Sequence, residues 1–170
     1  MDISIISIVS IFAIIVILII LGIIETNFHL ISLSKIPIRI HVNGARGKSS
    51  VVRLIAAGLR EGGMKTFAKT TGTIPRIINE AGDDVELHRL RSASIGEQIK
   101  LIRYFGKQNP DALVIECMAV NPQYQWISEH KMIKSTTSVI TNVRPDHIDE
   151  MGLTIRDNAM SLSNTIPFNG

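Results

Sequence analysis

Residues Val42–Ser50 read V-N-G-A-R-G-K-S-S, a glycine-rich turn that closes on Gly47-Lys48-Ser49. Gly44 and Gly47 let the backbone come close to a phosphate chain, the start of the following helix offers free N–H groups, and Lys48 adds a full positive charge. Ser49 is placed to present its hydroxyl to Mg²⁺. The common form G-x-x-x-x-G-K-[ST] has glycine where Val42 stands, so the pattern here is the shorter G-x-x-G-K-S. An ordinary glycine turn with Ser49 capping a helix is the alternative. The flanking pattern favours a phosphate loop and, with it, ATP.

Two further groups could share that chemistry. Leu113-Val114-Ile115-Glu116 is an apolar run ending in a carboxylate, and a buried parallel strand would deliver Glu116 to the phosphate site to complete a Mg²⁺ shell begun by Ser49. A strand-end surface glutamate is the plainer reading. Thr141-Asn142-Val143-Arg144-Pro145-Asp146-His147-Ile148-Asp149 also follows an apolar run. Its carboxylates and imidazole suit a metal or a phosphate-bound water, or equally a polar loop capping the next helix. Cys117 and Met118 read as core packing.

Secondary structure must position these groups. Pro37–Val42 alternates like a strand, and Val51, Val52, Leu54, Ile55 and Leu59 recur at helical spacing until Gly62-Gly63. Strands are expected at 64–69, 112–115 and 138–143, and helices at 94–105, 122–131 and 154–162, with a loop around Ala81–Asp84. This alternation predicts an α/β fold: a mostly parallel sheet with helices on both faces and ligands beyond the carboxyl ends of the strands. Thr165–Gly170 reads as a strand entering a turn, which suggests that the chain continues.

The N-terminus is of another kind. Ile3–Ile24 carries no charge, and at ~1.5 Å per residue it crosses a ~30 Å hydrocarbon layer. A cleaved signal is disfavoured by Asp2, by the length of the run and by the lack of a small-x-small site. A core helix is disfavoured because the apolar residues run all round it. Residues 1–24 are therefore expected to be a single transmembrane anchor, 25–36 a juxtamembrane connector and 37–170 the nucleotide-binding domain. Lys35 and Arg39 place the domain on the cytoplasmic side of the cell membrane, with the N-terminus outside. Eighteen Lys and Arg against fifteen Asp and Glu give +3, too little and too dispersed to argue for nucleic acid. A lone cysteine fits a reducing compartment, and no Cys/His set suggests structural zinc.

Taken in order, G-x-x-G-K-S, the strand ending at Glu116, and T-N-x-x-x-D-H-x-D at Thr141–Asp149 resemble the ATP-binding domain of the Mur ligase superfamily. With the N-terminal span, Lys69-Thr70-Thr71-Gly72-Thr73, Ile95-Gly96-Glu97-Gln98, Glu116–Pro122 and the closing I-P-F-N-G, the chain resembles the catalytic subunits of poly-γ-glutamate synthases, the CapB/PgsB family. That resemblance implies activation of a γ-carboxylate by ATP as an acyl phosphate and attack by the amine of another glutamate. It also implies a growing poly-γ-glutamate made beside the membrane, with small membrane partner subunits. It assigns Lys48, Glu116 and His147 to catalysis and Ser49, Glu116 and His147 to metal, with His147 on a second ion. Asn43, Gly44, Ala45, Arg46, Gly47, Lys48, Ser49, Ser50, Thr71, Gly72, Thr73 and Asn142 become nucleotide contacts.

Other residues have plainer readings. Ser94-x-x-Glu97 forms a capping box, Asn121-Pro122 an N-cap with proline at the first helical position, and Trp126 packs. His29, His41, His88 and His130 show no partner by spacing, and Arg89 and Arg91 sit in a polar loop. Ser92-Ala93 departs from the Gly-Pro-like step of the family. Related enzymes continue well beyond this length, so residues 1–170 are expected not to complete catalysis alone.

Overall fold

A computed structural model describes residues 3–72, 74–87 and 96–168, with side chains from residue 7 onward. Thr73, His88, Arg89, Arg91, Ser92-Ala93, Ser94 and Asn169-Gly170 lie outside the described residues.

Six strands form one sheet: β1 (Ile38–Asn43), β2 (Thr66–Thr70), β3 (Arg76–Ile78), β4 (Asp84–Glu86), β5 (Ala112–Glu116) and β6 (Thr137–Ile140), in the order β4-β3-β2-β5-β1-β6. The four strands β2, β5, β1 and β6 run parallel, and β3 and β4 extend the edge antiparallel. Every residue of β5 is buried. Its side chains alternate, so Val114 faces α2 (Lys48–Glu61) through Val52 and Ala56. Leu113 and Ile115 face the other layer, where Leu101, Ile102 and Phe105 of α3 (Gly96–Gly106) pack with Phe67, Met132 and Ile133. Helices on both faces of a mostly parallel sheet are what the sequence predicts.

The first helix, α1, runs unbroken over Ile3–Ser34. It passes the expected boundary at residue 24, so most of the 25–36 connector is helical. Residues Ser7–Ser34 have a mean hydropathy of 3.3 in their most apolar window, none of it buried. Lower down the helix joins the domain, because Leu33 and the adjoining Ile36 enter the core beside α3. A side-chain carbon on Gly106 would lie 2.8 Å from the Ser32 carbonyl oxygen, so only glycine permits this approach.

Several expected boundaries move. The loop expected around Ala81–Asp84 is the turn of a β3–β4 hairpin, in which the Asn79 side-chain oxygen accepts from the Ala81 and Asp83 amides at 3.0 and 2.8 Å. The helix expected at 122–131 is α4 (Pro122–Ile127) followed by a π-helical stretch, Ser128–Ile133. Asn121 caps α4 as expected, accepting from the Gln123 amide at 3.0 Å with Pro122 at the first turn. A single turn, α5 (Ile148–Met151), precedes α6 (Ile155–Ser163), which a Thr154/Asp157 capping box opens. Residues 165–168 form turns and not a strand.

Candidate functional site

The glycine-rich turn joins β1 to α2 at the carboxyl edge of the sheet, as expected. Gly44 has φ +131°, and a Cβ there would sit 2.1 Å from Thr141 Oγ1. Gly47 has φ +79° and caps α2 with no side-chain bond. Ser49 is thus inside the first turn of α2 and not its cap. We expect Gly44→Ala to weaken ATP binding by about tenfold or more, given that such backbone strain costs about 1–3 kcal/mol before the clash is counted. Gly58→Ala, where an added carbon meets nothing within 4 Å, should leave affinity unchanged; titration calorimetry compares the two.

Register brings the acidic strand end to the loop. Val42 of β1 pairs with Glu116 of β5, and Lys69 of β2 pairs with Ile115, so Thr71 emerges beside the same carboxylate. Glu116 is 3% exposed. Its Oε2 accepts from Ser49 Oγ at 2.7 Å and from the Thr71 amide at 2.9 Å. The Lys48 ammonium donates to the Gly44 carbonyl at 2.7 Å, keeping its charge inside the loop. Gly72 lies against Ser49, whose hydroxyl is 3.5 Å from where a Cβ would be. The Ser49 and Glu116 oxygens are hard donors separated by nearly the ~3 Å that neighbouring ligands of an octahedral ion at ~2.1 Å would show. They fit Mg²⁺.

The segment after β6 buttresses the loop. Asn142 accepts from the Arg46 amide at 3.2 Å and donates to the Arg46 carbonyl at 2.9 Å, while its own carbonyl accepts from the Ala45 amide at 3.1 Å. Thr141 Oγ1 donates to the Arg46 carbonyl at 2.7 Å. These bonds explain why β6 ends early: the Thr141 amide still donates to the Asn43 carbonyl at 2.9 Å, but the Thr141 side chain and all of Asn142 turn to the loop. Asn43 is likewise committed to scaffold: it accepts from the Gly44 amide at 2.8 Å and donates to Gln125 at 2.8 Å. Ser50 and the Arg46 guanidinium stand exposed on the outer side of the turn, with Arg46 3.5 Å from Asp146.

A cavity of about 270 Å³ opens beside the loop, and Asn43, Gly44, Ala45, Lys48, Thr71 and Glu116 line it together with Asp146 and His147. His147 caps α5 with φ +46°, and its ring is 56% exposed with Nε2 3.9 Å from Asp146. Among the described residues no three His, Cys, Asp or Glu side chains gather into a metal cluster. The expected metal ligands therefore divide into the bonded pair Ser49–Glu116 and a separate His147, which lines the same cavity as Glu116.

Other interactions had no signal in the sequence. Lys69 is fully buried and ion-paired to Glu97 at 3.3 Å. His41 Nδ1 meets Glu129 Oε2 at 2.8 Å inside the sheet's outer layer. The ring of His130 stacks on Phe168 and also contacts Trp126. Apart from Trp126 and His130, four residues apart, these partners are distant in the chain, and nothing in local spacing announces them.

Residues 42–157 match the Mur ligase middle domain. The capsule biosynthesis protein CapB of Bacillus anthracis is 43% identical over 151 residues, covering 88% of this chain and 32% of that protein. The PGA synthase CapB of Bacillus subtilis is 41% identical, covering 88% of this chain and 38% of that protein. This chain thus spans about a third of the length of the curated relatives it matches. Among solved structures, E. coli FolC in complex with DHPP and ADP superposes with a TM-score of 0.59 at 14% identity, covering 83% of this chain and 38% of that one. That likeness bears on the fold.

Proposed function

We propose, from the premise that this chain belongs to the Mur ligase family, that it carries the phosphate-handling part of an ATP-dependent amide ligase that extends poly-γ-glutamate. The observation that carries the proposal is the convergence of Ser49 and the Thr71 amide on Glu116, next to Lys48, in a chain 43% identical to a capsule biosynthesis protein.

In this reading a glutamate γ-carboxylate attacks the γ-phosphorus of ATP and ADP departs, leaving an acyl phosphate. The amine of a second glutamate then attacks the acyl carbon, phosphate leaves and an amide forms. Lys48 and the amides of the turn neutralise charge on the β- and γ-phosphates. Ser49 and Glu116 would hold Mg²⁺, which supplies charge neutralisation and orients the phosphates when bound. Thr71 and Gly72 would border the γ-phosphate and the entering carboxylate. His147 lines the same cavity as Thr71, suited to a second cation or to the acyl phosphate itself. Arg46 and Ser50 serve the outer rim, while Asn43 and Asn142 hold the turn in shape.

The long apolar part of α1 would anchor the protein in the cell membrane with the ligase domain on the cytoplasmic face, where small membrane subunits could receive the polymer. We expect the full-length protein to release phosphate from ATP only when glutamate is supplied, read by a coupled phosphate assay. Release that ignores glutamate would point instead to a membrane-linked ATPase.

A further inference from the structure

We infer that the foot of α1 and the domain together form a binding site for the phosphate of an anionic membrane lipid. A cavity of about 490 Å³ lies where Glu25, Thr26 and His29 of α1 meet Arg103 of α3 and Lys131 and Lys134 of the π-helical stretch and its cap. Two polar atoms in it are buried with no hydrogen-bond partner among the described residues: His29 Nδ1 and Arg103 Nε. His29 is 5% exposed, and its Nε2–H donates to the Met132 carbonyl at 2.6 Å, which fixes the ring in place and leaves Nδ1 an acceptor. Of the two atoms, the Arg103 Nε–H is therefore the one able to donate to a phosphate oxygen. Arg103 is anchored through Nη2 to the Glu25 carbonyl at 2.9 Å, with the Glu25 carboxylate at 3.4 Å. The carboxylate is the single acid on this wall, against three cations, and it is largely exposed at 67%. A guanidinium edge and lysine ammonium groups suit a phosphate oxygen cluster.

Depth selects the lipid as its source, an argument that rests on the membrane-anchor reading above. Residues 3–24 span ~33 Å at 1.5 Å each, enough to fill the ~30 Å hydrocarbon layer. Residues 25–29 then occupy the next ~7 Å, the depth of the head groups. The cavity opens where lipid phosphates lie.

The test is native mass spectrometry of the intact protein released from micelles of equal phosphatidylcholine and phosphatidylglycerol. The protein should retain phosphatidylglycerol in preference. Arg103→Lys keeps the charge but loses the fork, and Arg103→Gln with Lys134→Gln removes two cations. We expect the first to lose several-fold in retention and the second more, at roughly fivefold for each cation near a membrane surface. Lys107→Gln, an exposed cation outside the cavity, should change nothing. Thermal melts in phosphatidylcholine micelles confirm that each variant is folded. Equal retention of both lipids, or an undiminished preference in folded Arg103 variants, would overturn the site. Inorganic phosphate displacing the lipid at equal concentration would overturn the lipid as its source. Carbonate extraction of membranes separates the two readings: a protein that stays embedded yet shows no preference refutes only the site, and one that is released refutes the anchor beneath it.

Discussion

Replacing Lys48 with alanine is expected to lower glutamate-dependent ATP turnover by at least ~10³-fold, because the phosphate charge that grows during transfer loses its nearest full counter-charge. The side chain lies within the turn, 2.7 Å from the Gly44 carbonyl, and ties no distant elements together. The variant should therefore melt near the wild-type temperature while losing turnover. Lys48→Arg tests the geometry, since it keeps the charge on a bulkier, planar head. We expect it to recover little, since a planar guanidinium does not reproduce the compact charge that the ammonium sets beside the Gly44 carbonyl. Phosphate release and a thermal melt measured side by side check both statements, and a Lys48→Ala protein with near-normal glutamate-dependent turnover would refute the ligase assignment.

The largest expected loss of stability comes from the buried pair His41–Glu129. Both side chains are at most 1% exposed, and Glu129 also accepts from the amide and hydroxyl of Ser135 at 2.8 and 2.9 Å. Glu129→Ala would strand the imidazole and two donors, and breaking a buried pair in this way typically costs ~3–5 kcal/mol. For a protein of this size that corresponds to a fall of ~10 °C or more in melting temperature. A double exchange, His41→Phe with Glu129→Leu, should recover part of the loss by leaving no charge behind.

The pair also sets a pH profile. Burial opposes the charge on His41, but the neighbouring Cys117 sulfur and the Glu129 carboxylate outweigh it and push the imidazole up to about 9 from its ordinary 6.5. A raised histidine stabilises the folded state fully below 6.5, and that contribution fades as pH rises through 9. Burial likewise opposes the charge on Glu129, yet His41 and Ser135 hold the carboxyl below its ordinary 4.5. Its contribution is present above 4.5 and fades as pH falls below it. Urea midpoints should therefore be greatest between about 4.5 and 6.5 and decline on the alkaline side. A flat profile up to pH 10 would contradict the charged pair.

What could be read in the sequence was what the chain writes locally. The phosphate turn shows itself because one short run holds its glycines, its lysine and both flanking periodicities. Glu116 shows itself because a fully buried strand spells out its length in apolar residues before the acid. The β3–β4 hairpin was hidden because three-residue strands contain too few alternations to register, and Asn79 made its turn look like a loop. The early end of β6 depended on bonds to a turn ninety-odd residues earlier. His41 and Glu129 are 88 residues apart, and Lys69 and Glu97 sit on different layers. Only the packing of α3 and the π-helical stretch on one face of the sheet makes neighbours of such residues. The continuation of α1 past residue 24 was masked by Glu25, Thr26 and Asn27, polar residues that read as a linker but helix geometry accepts.

That unbroken helix means the domain has no swivel. Some ten residues, or ~15 Å, of rigid stalk separate Ile24 from the point where Leu33 locks into the core. In the anchored arrangement proposed above, any lean of the helix would become the same lean of the sheet, and the phosphate turn would keep one height and one attitude above the bilayer. Membrane thickness, which governs how far such helices tilt, would then act on the ligase as a mechanical setting, aiming the mouth of its cavity toward or away from the membrane plane.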